Sequence, residues 1–149
     1  MIRSSYGAEL LAAAHGMEDV YPVIVTLIEI ASGVRTAEQT KRYREQGELE
    51  FDVTLTIDAE GVYKSSVNRD FRTPSEKTLL GHVAWIREML QKKVIRRLQW
   101  CDTGDMIADG HAKGNIDRTA LINTMKGEQK YLYETRTHEP VRGYLLTRG

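Results

Sequence analysis

Apolar and polar residues alternate without a break from Leu49 to Asp58. Leu49, Phe51, Val53, Leu55 and Ile57 fall on one side, and Glu50, Asp52, Thr54, Thr56 and Asp58 on the other. A period of two predicts a β-strand, with one wetter face over at least its first half. Ile95 to Cys101 predicts a second strand. The helical period rules elsewhere. Leu79, Val83, Ile86 and Leu90 share one helical face. Thr73-Pro74-Ser75-Glu76 upstream has capping-box spacing with proline at the first helical position, and Lys92 and Lys93 follow where cations suit a helix C-terminus.

The remaining segments are read the same way. Ala8 to His15 is rich in the helix formers Ala and Leu, with Ser4 or Ser5 placed to cap it, and Gly16 is expected to break or bend it. A second helical run covers roughly Glu18 to Ser32, with Pro22 near its start, and ends before Gly33. Gly33 to Gly47 is polar and charged, either a frayed helix or an excursion. Ala59 to Asn68 predicts a short helix, and Asp105 to about Met125 another, bent at Gly110 and Gly114. Tyr131 to Thr135 predicts a late strand, with poor order beyond Glu139. Strands separated by helices argue for an α/β layer with parallel pairing. Two clear strands are few for an independently stable sheet.

Composition narrows the class. The chain has 149 residues, one domain or a piece of one, with ordinary apolar (41%) and charged (28%) shares. The single cysteine, Cys101, excludes an internal disulfide framework and a cysteine-based zinc site, and an intracellular, reducing location fits. No leader of the signal type opens the chain. The longest apolar stretch, Val20 to Ala31, is interrupted by Pro22 and Glu29 and is shorter than the roughly 20 apolar residues a spanning helix needs, so no membrane partner is expected. Net charge is zero but uneven. Residues 1–60 carry 5 Lys/Arg against 11 Asp/Glu, and residues 61–149 carry 16 against 10. An acidic half holding a metal site and a basic half suited to phosphates are compatible with one function, although charge blocks also arise as solvated faces.

Three carboxylates stand in small-residue or apolar settings: Glu9 in the first helix, Asp58 at the carboxyl end of the first strand, and Asp109 in the helix after the second. Sites in open α/β sheets form at the carboxyl ends of strands. Carboxylates suit magnesium, and paired ions about 3.5–4 Å apart activate water and stabilise the leaving oxygen. Each residue alone has a plainer reading, since a strand-end Asp is often a helix N-cap and a helical Glu is usually solvated.

The flanking residues go further. Ser4, Ser5, Ala8 and Glu9 match a Ser-Ser-x-x-Ala-Glu segment; Ile57, Asp58, Gly61 and Val62 are similar to an apolar-x-Asp-x-x-Ala/Gly-apolar segment where a strand meets a helix. Ala108, Asp109, Ala112 and Lys113 match an Ala-Asp-x-x-Thr/Ala-Lys segment that follows a strand ending in an aromatic, here Trp100. In that order the three segments resemble the ribonuclease H domain at the end of the polymerase polyprotein of copia-type retrotransposons, over roughly residues 3–125, with 126–149 as a C-terminal extension. The resemblance implies a ribonuclease H-like α/β fold in which Glu9, Asp58 and Asp109 hold two Mg2+ (or Mn2+) ions. Water would then attack the RNA strand of an RNA–DNA hybrid during reverse transcription, leaving a 3′-hydroxyl and a 5′-phosphate. It also implies the upstream reverse transcriptase region of the same polyprotein as partner, and a location that is cytoplasmic (in a virus-like particle) or nuclear.

The chain departs from that family in ways that matter. The family fold begins with three antiparallel strands, the first carrying a further metal-bridging Asp, and no acidic residue precedes Glu9 here. Leu10 stands where the family has an aromatic, and Gly33–Gly47 lengthens the gap between Glu9 and Asp58. The expectation is a fold incomplete at its N-terminus, with an exposed strand edge and little or no nuclease activity in isolation. The alternatives are a non-catalytic retroelement remnant that binds nucleic acid or protein, and a small α/β adaptor with coincidental motifs.

Other residues carry weaker signals. Lys92, Lys93, Arg96 and Arg97 form the densest basic cluster, read as contacts to a hybrid's backbone or as a solvated helix end and strand start. His111 lies on the wrong side of Asp109 for a product-release role and reads as surface. Trp85 and Trp100 read as core or near-core, and Cys101 as an inert thiol at a strand end.

Overall fold

The computed structural model describes residues 5–47, 49–68, 77–115 and 117–140. The chain runs α1 (Ser5–Ser32), α2 (Ala37–Gln46), β1 (Thr54–Ile57), α3 (Glu60–Val67), α4 (Lys77–Gln91) and β2 (Arg97–Cys101). A 3-10 turn (Thr103–Asp105), α5 (Asp109–Ala112), α6 (Thr119–Met125) and β3 (Thr135–His138) complete it. The class is mixed α/β, with a three-stranded mixed sheet in the order β1-β2-β3. β1 and β2 are parallel, with Thr54 beside Arg97 and Ile57 beside Trp100. β3 closes the other side antiparallel, with Leu98 beside His138 and Cys101 beside Thr135. The helix required to reverse the chain between parallel strands is α4, preceded by α3.

The expected strand over Leu49–Ile57 is present only in its second half. Val53 is where pairing starts: its carbonyl accepts the N–H groups of Arg96 and Arg97 at 2.8 and 3.3 Å. Upstream, polar side chains take other partners. Asp52 pairs with Arg96 and Arg97, and Glu50 with Ser32 and Arg35. Leu49 packs on the core but Phe51 remains 45% exposed, so the alternation outruns the ladder that would make it a strand.

α1 is one helix where a break at Gly16 was expected. It runs through both Gly16 and Pro22, because packing on one side holds a helix against a weak local breaker. Leu10, Ala13, Met17, Ile24 and Ile28 form that buried side. Pro22 lacks a donor, and its carbonyl accepts the Thr26 hydroxyl at 2.8 Å. α1 is long and apolar enough, by length and composition, to cross a membrane, a test that core helices also pass; Leu10 and Ile28 are wholly buried within the fold.

Gly33–Gly47 resolves into a capped helix. Thr36 and Gln39 make the reciprocal capping box and Gly47 adopts the left-handed conformation that closes α2. Tyr43 joins Ile24 and Ile28 in a small second core cluster. The Thr36-x-x-Gln39 spacing was legible and is the signal that finds this helix.

The main core lies on one face of the sheet, where α1, α3 and α4 pack. Leu79, Val83, Ile86 and Leu90 of α4 are buried as their spacing predicts, beside Leu10, Val62, Ile57 and Leu98. The capping segment 73–76 lies outside the described residues. After β2, the single helix expected over Asp105–Met125 is three short pieces, the 3-10 turn, α5 and α6. The third strand begins at Thr135, where the sequence pattern ends it, and runs to His138; the segment expected to lack order, beyond Glu139, lies outside the described residues except for Pro140.

Candidate functional site

The parallel pair fixes two of the three candidate acids. Asp58 is the first residue beyond β1. Its carbonyl accepts the Trp100 indole N–H at 3.0 Å, which joins the carboxyl ends of β1 and β2. Asp109 begins α5 eight residues beyond β2. Its Oδ2 lies 2.7 Å from Lys113 Nζ, one helical turn on, and its side chain is 18% exposed.

The two acids share a neighbourhood. Lys113 is held above its ordinary pKa by its hydrogen bond to Asp109, by the Asp109 charge and by that of Asp58. Cys101, fully buried at the end of β2, is pushed up to about 11 by burial, with the Asp58, Asp105, Asp102 and Asp109 charges adding to it in that order. Like charges disfavour the thiolate and low polarity does the same, so this is the inert thiol expected. The carboxyl end of the parallel pair is therefore rich in carboxylates, and Lys113 pairs with one of them, Asp109.

The Glu9 side chain is exposed on α1 and makes no hydrogen bond or ion pair among the described residues. Nearby in sequence, Tyr6 donates or accepts a hydrogen bond with the buried Ser65 hydroxyl at 2.8 Å, and its ring lies against Gly61. The start of α1 thus packs on α3. Among the described residues no three His, Cys, Asp or Glu side chains are grouped to hold a metal ion. The Lys113 ammonium is the positive partner that Asp109 holds in this structure.

The basic cluster is committed to protein partners. Arg96 and Arg97 both grip Asp52 and Glu139, at 2.7–3.4 Å. The Arg96 hydrogen bond first, then the Arg97 and Arg96 charges, lower the Glu139 pKa, and the hydrogen bonds to Glu139 and Asp52 raise that of Arg96. Lys92 pairs with Glu88 across one turn, and Lys93 donates to the Pro140 carbonyl. No member of the four is left without an acceptor. The reading as a solvated helix end and strand start is the one these contacts favour.

Two further residues shape this end of the molecule and escaped the sequence reading. Asp105 is 3% exposed and accepts the N–H groups of Leu132 and Tyr133. Arg136 on β3 lies over the Trp100 ring, 5.1 Å from its centroid, and pairs with Glu60 at 3.1 Å. Neither contact has a local signature, because each joins residues far apart in the chain. Trp85 and Trp100 are half-buried against the core as expected, and His111 is exposed.

The outer face of the sheet is polar. Thr56 approaches Gln99 at 3.4 Å, and the Tyr131 hydroxyl donates to Gln99 Oε1 at 3.2 Å.

No family model, curated protein or solved structure matches this chain.

Proposed function

We propose that this chain is a ribonuclease H-like domain from a copia-type retrotransposon polymerase polyprotein, directed at RNA–DNA hybrids and catalytically incompetent on its own. The observation that carries the reading is the placement of Asp58 and Asp109. Asp58 directly follows β1, and Asp109 opens α5, eight residues beyond the parallel neighbour β2. The unassembled third ligand and the Lys113–Asp109 pair support the non-catalytic part.

The test uses the purified chain with a fluorescent RNA–DNA hybrid, a matching duplex DNA, and Mg2+ or Mn2+. The expected result is preferential hybrid binding with little or no cleavage. Robust metal-dependent hybrid cleavage lost in Asp58→Asn would overturn the incompetence. Equal affinity for hybrid and duplex DNA, or for neither, would overturn the hybrid-directed reading. If the chain binds a protein and no nucleic acid, the remnant interaction module replaces it.

A further inference from the structure

β3 is the least anchored strand of the sheet. Among the described strands it pairs with β2 alone. None of its side chains enters a core cluster, whereas Leu98 and Cys101 of β2 are fully buried. An element with few buried apolar contacts opens at lower cost than the core it borders.

The far end of β3 is fastened by cations. Lys93, in the turn after α4, takes the left-handed conformation at φ 61 and donates from its ammonium to the Pro140 carbonyl. Arg96 and Arg97 hold Glu139. Ion pairs this exposed contribute little each. His138, the last residue of β3, lies opposite Leu98 of β2 just before these contacts. It is half-buried and makes no side-chain hydrogen bond or ion pair among the described residues.

The charged groups around His138 are cations or carboxylates already paired. Lys93 comes from the turn after α4. Arg96 and Arg97 come from the start of β2, with Asp52 and Glu139 between them. Arg136, on β3 itself, is held by Glu60 and Glu134. Burial, then the Lys93 charge, keep the ring neutral to lower pH than usual. An opened strand returns His138 to its ordinary 6.5, so opening is favoured as pH falls below that value. Glu139, held below 4.5, keeps its charge through the same fall.

We propose that β3 is an acid-released strap: a proton on His138, beside the fixed Lys93 ammonium, loosens β3 from β2 while the helices and the parallel pair stay folded. The bared β2 edge is then open to another strand. The inference does not rest on the nuclease reading.

The experiment follows amide hydrogen exchange of the full chain by NMR between about pH 8 and about pH 5, with each rate corrected for its intrinsic pH dependence. Protection of the amides bonded between β2 and β3 is expected to fall at least about threefold more than that of the α4 amides. In His138→Gln that selective loss should vanish. Lys93→Gln keeps a donor for the Pro140 carbonyl and removes the charge. It should raise the His138 titration midpoint, read from the imidazole proton signal, toward 6.5. A loss of protection shared equally by α4, a selective loss that persists in His138→Gln, a midpoint unmoved by Lys93→Gln, or a midpoint at or above 6.5 in the unaltered chain would each overturn the proposal. If His138→Gln does not fold, the exchange of the unaltered chain and the Lys93→Gln midpoint decide.

Discussion

Asp105 accepts the backbone N–H of Tyr133 at 2.8 Å through Oδ2, and its Oδ1 takes that of Leu132 at 3.0 Å. One buried carboxylate in the turn after β2 thus anchors the segment that leads into β3. Leu132 and Tyr133 are 80 and 60% exposed, so this carboxylate, with the Tyr131–Gln99 hydrogen bond, ties the segment down where burial does not.

Asp105→Ala is expected to cost about 1.5–3 kcal/mol in urea unfolding, since hydrogen bonds to a charged acceptor are lost together. Amide exchange at Leu132 and Tyr133 should accelerate more than exchange in α4. Protection that stays unchanged at those two amides would contradict the tether.

Two glycines, one closing α2 and one inside α4, should respond oppositely to alanine. Gly47 has φ +64 and a Cβ there would collide with the Lys92 carbonyl, so Gly47→Ala should destabilise by at least about 1–2 kcal/mol. Gly81 lies inside α4 with open space around it, so Gly81→Ala should stabilise by about 0.5–1 kcal/mol. Denaturation midpoints of the two variants check both signs.

Ile86 is completely buried at the centre of the α4 face. Ile86→Ala is expected to cost about 2–5 kcal/mol, the removed transfer energy plus the cavity left behind. A loss well below that range would mean that the α4 face does not pack on the core as described.

Two pH windows should separate. Burial first, then the Lys93 charge, hold His138 below its ordinary 6.5. The folded form then binds the proton less readily than the unfolded form, so stability present above 6.5 is lost as pH falls through the lowered value. Glu139, held below 4.5 mainly by its hydrogen bond to Arg96, contributes stability above 4.5 that is lost only as pH falls further. Melting temperatures across this range should show the upper loss vanish in His138→Gln and persist in Glu139→Gln.

Cys101, pushed up to about 11, should be alkylated far more slowly in the folded chain than in urea at neutral pH. Its raised value contributes stability that is complete below the ordinary thiol range and is lost as pH rises toward 11. Rapid alkylation of the folded chain would show that the end of β2 is open.

Local pattern determined much of this protein. The spacing of Leu79, Val83, Ile86 and Leu90 defined the face that α4 buries. The alternation into Ile57 marked β1, and Asp58 and Asp109 were legible as acids just beyond two successive strands. These are properties of a few adjacent residues, which periodicity and capping encode directly. What only the tertiary structure decided required partners distant in the chain. β1 starts at Thr54 because β2 reaches no further back. α1 survives Gly16 and Pro22 because its packed side outweighs them. Arg96 and Arg97 pair at the surface with Asp52 and Glu139, residues more than forty positions away. Lys113, not Glu9, meets Asp109, because a carboxylate's partner is set by which side chains the fold brings within a few ångströms, and no short stretch of sequence specifies that distance.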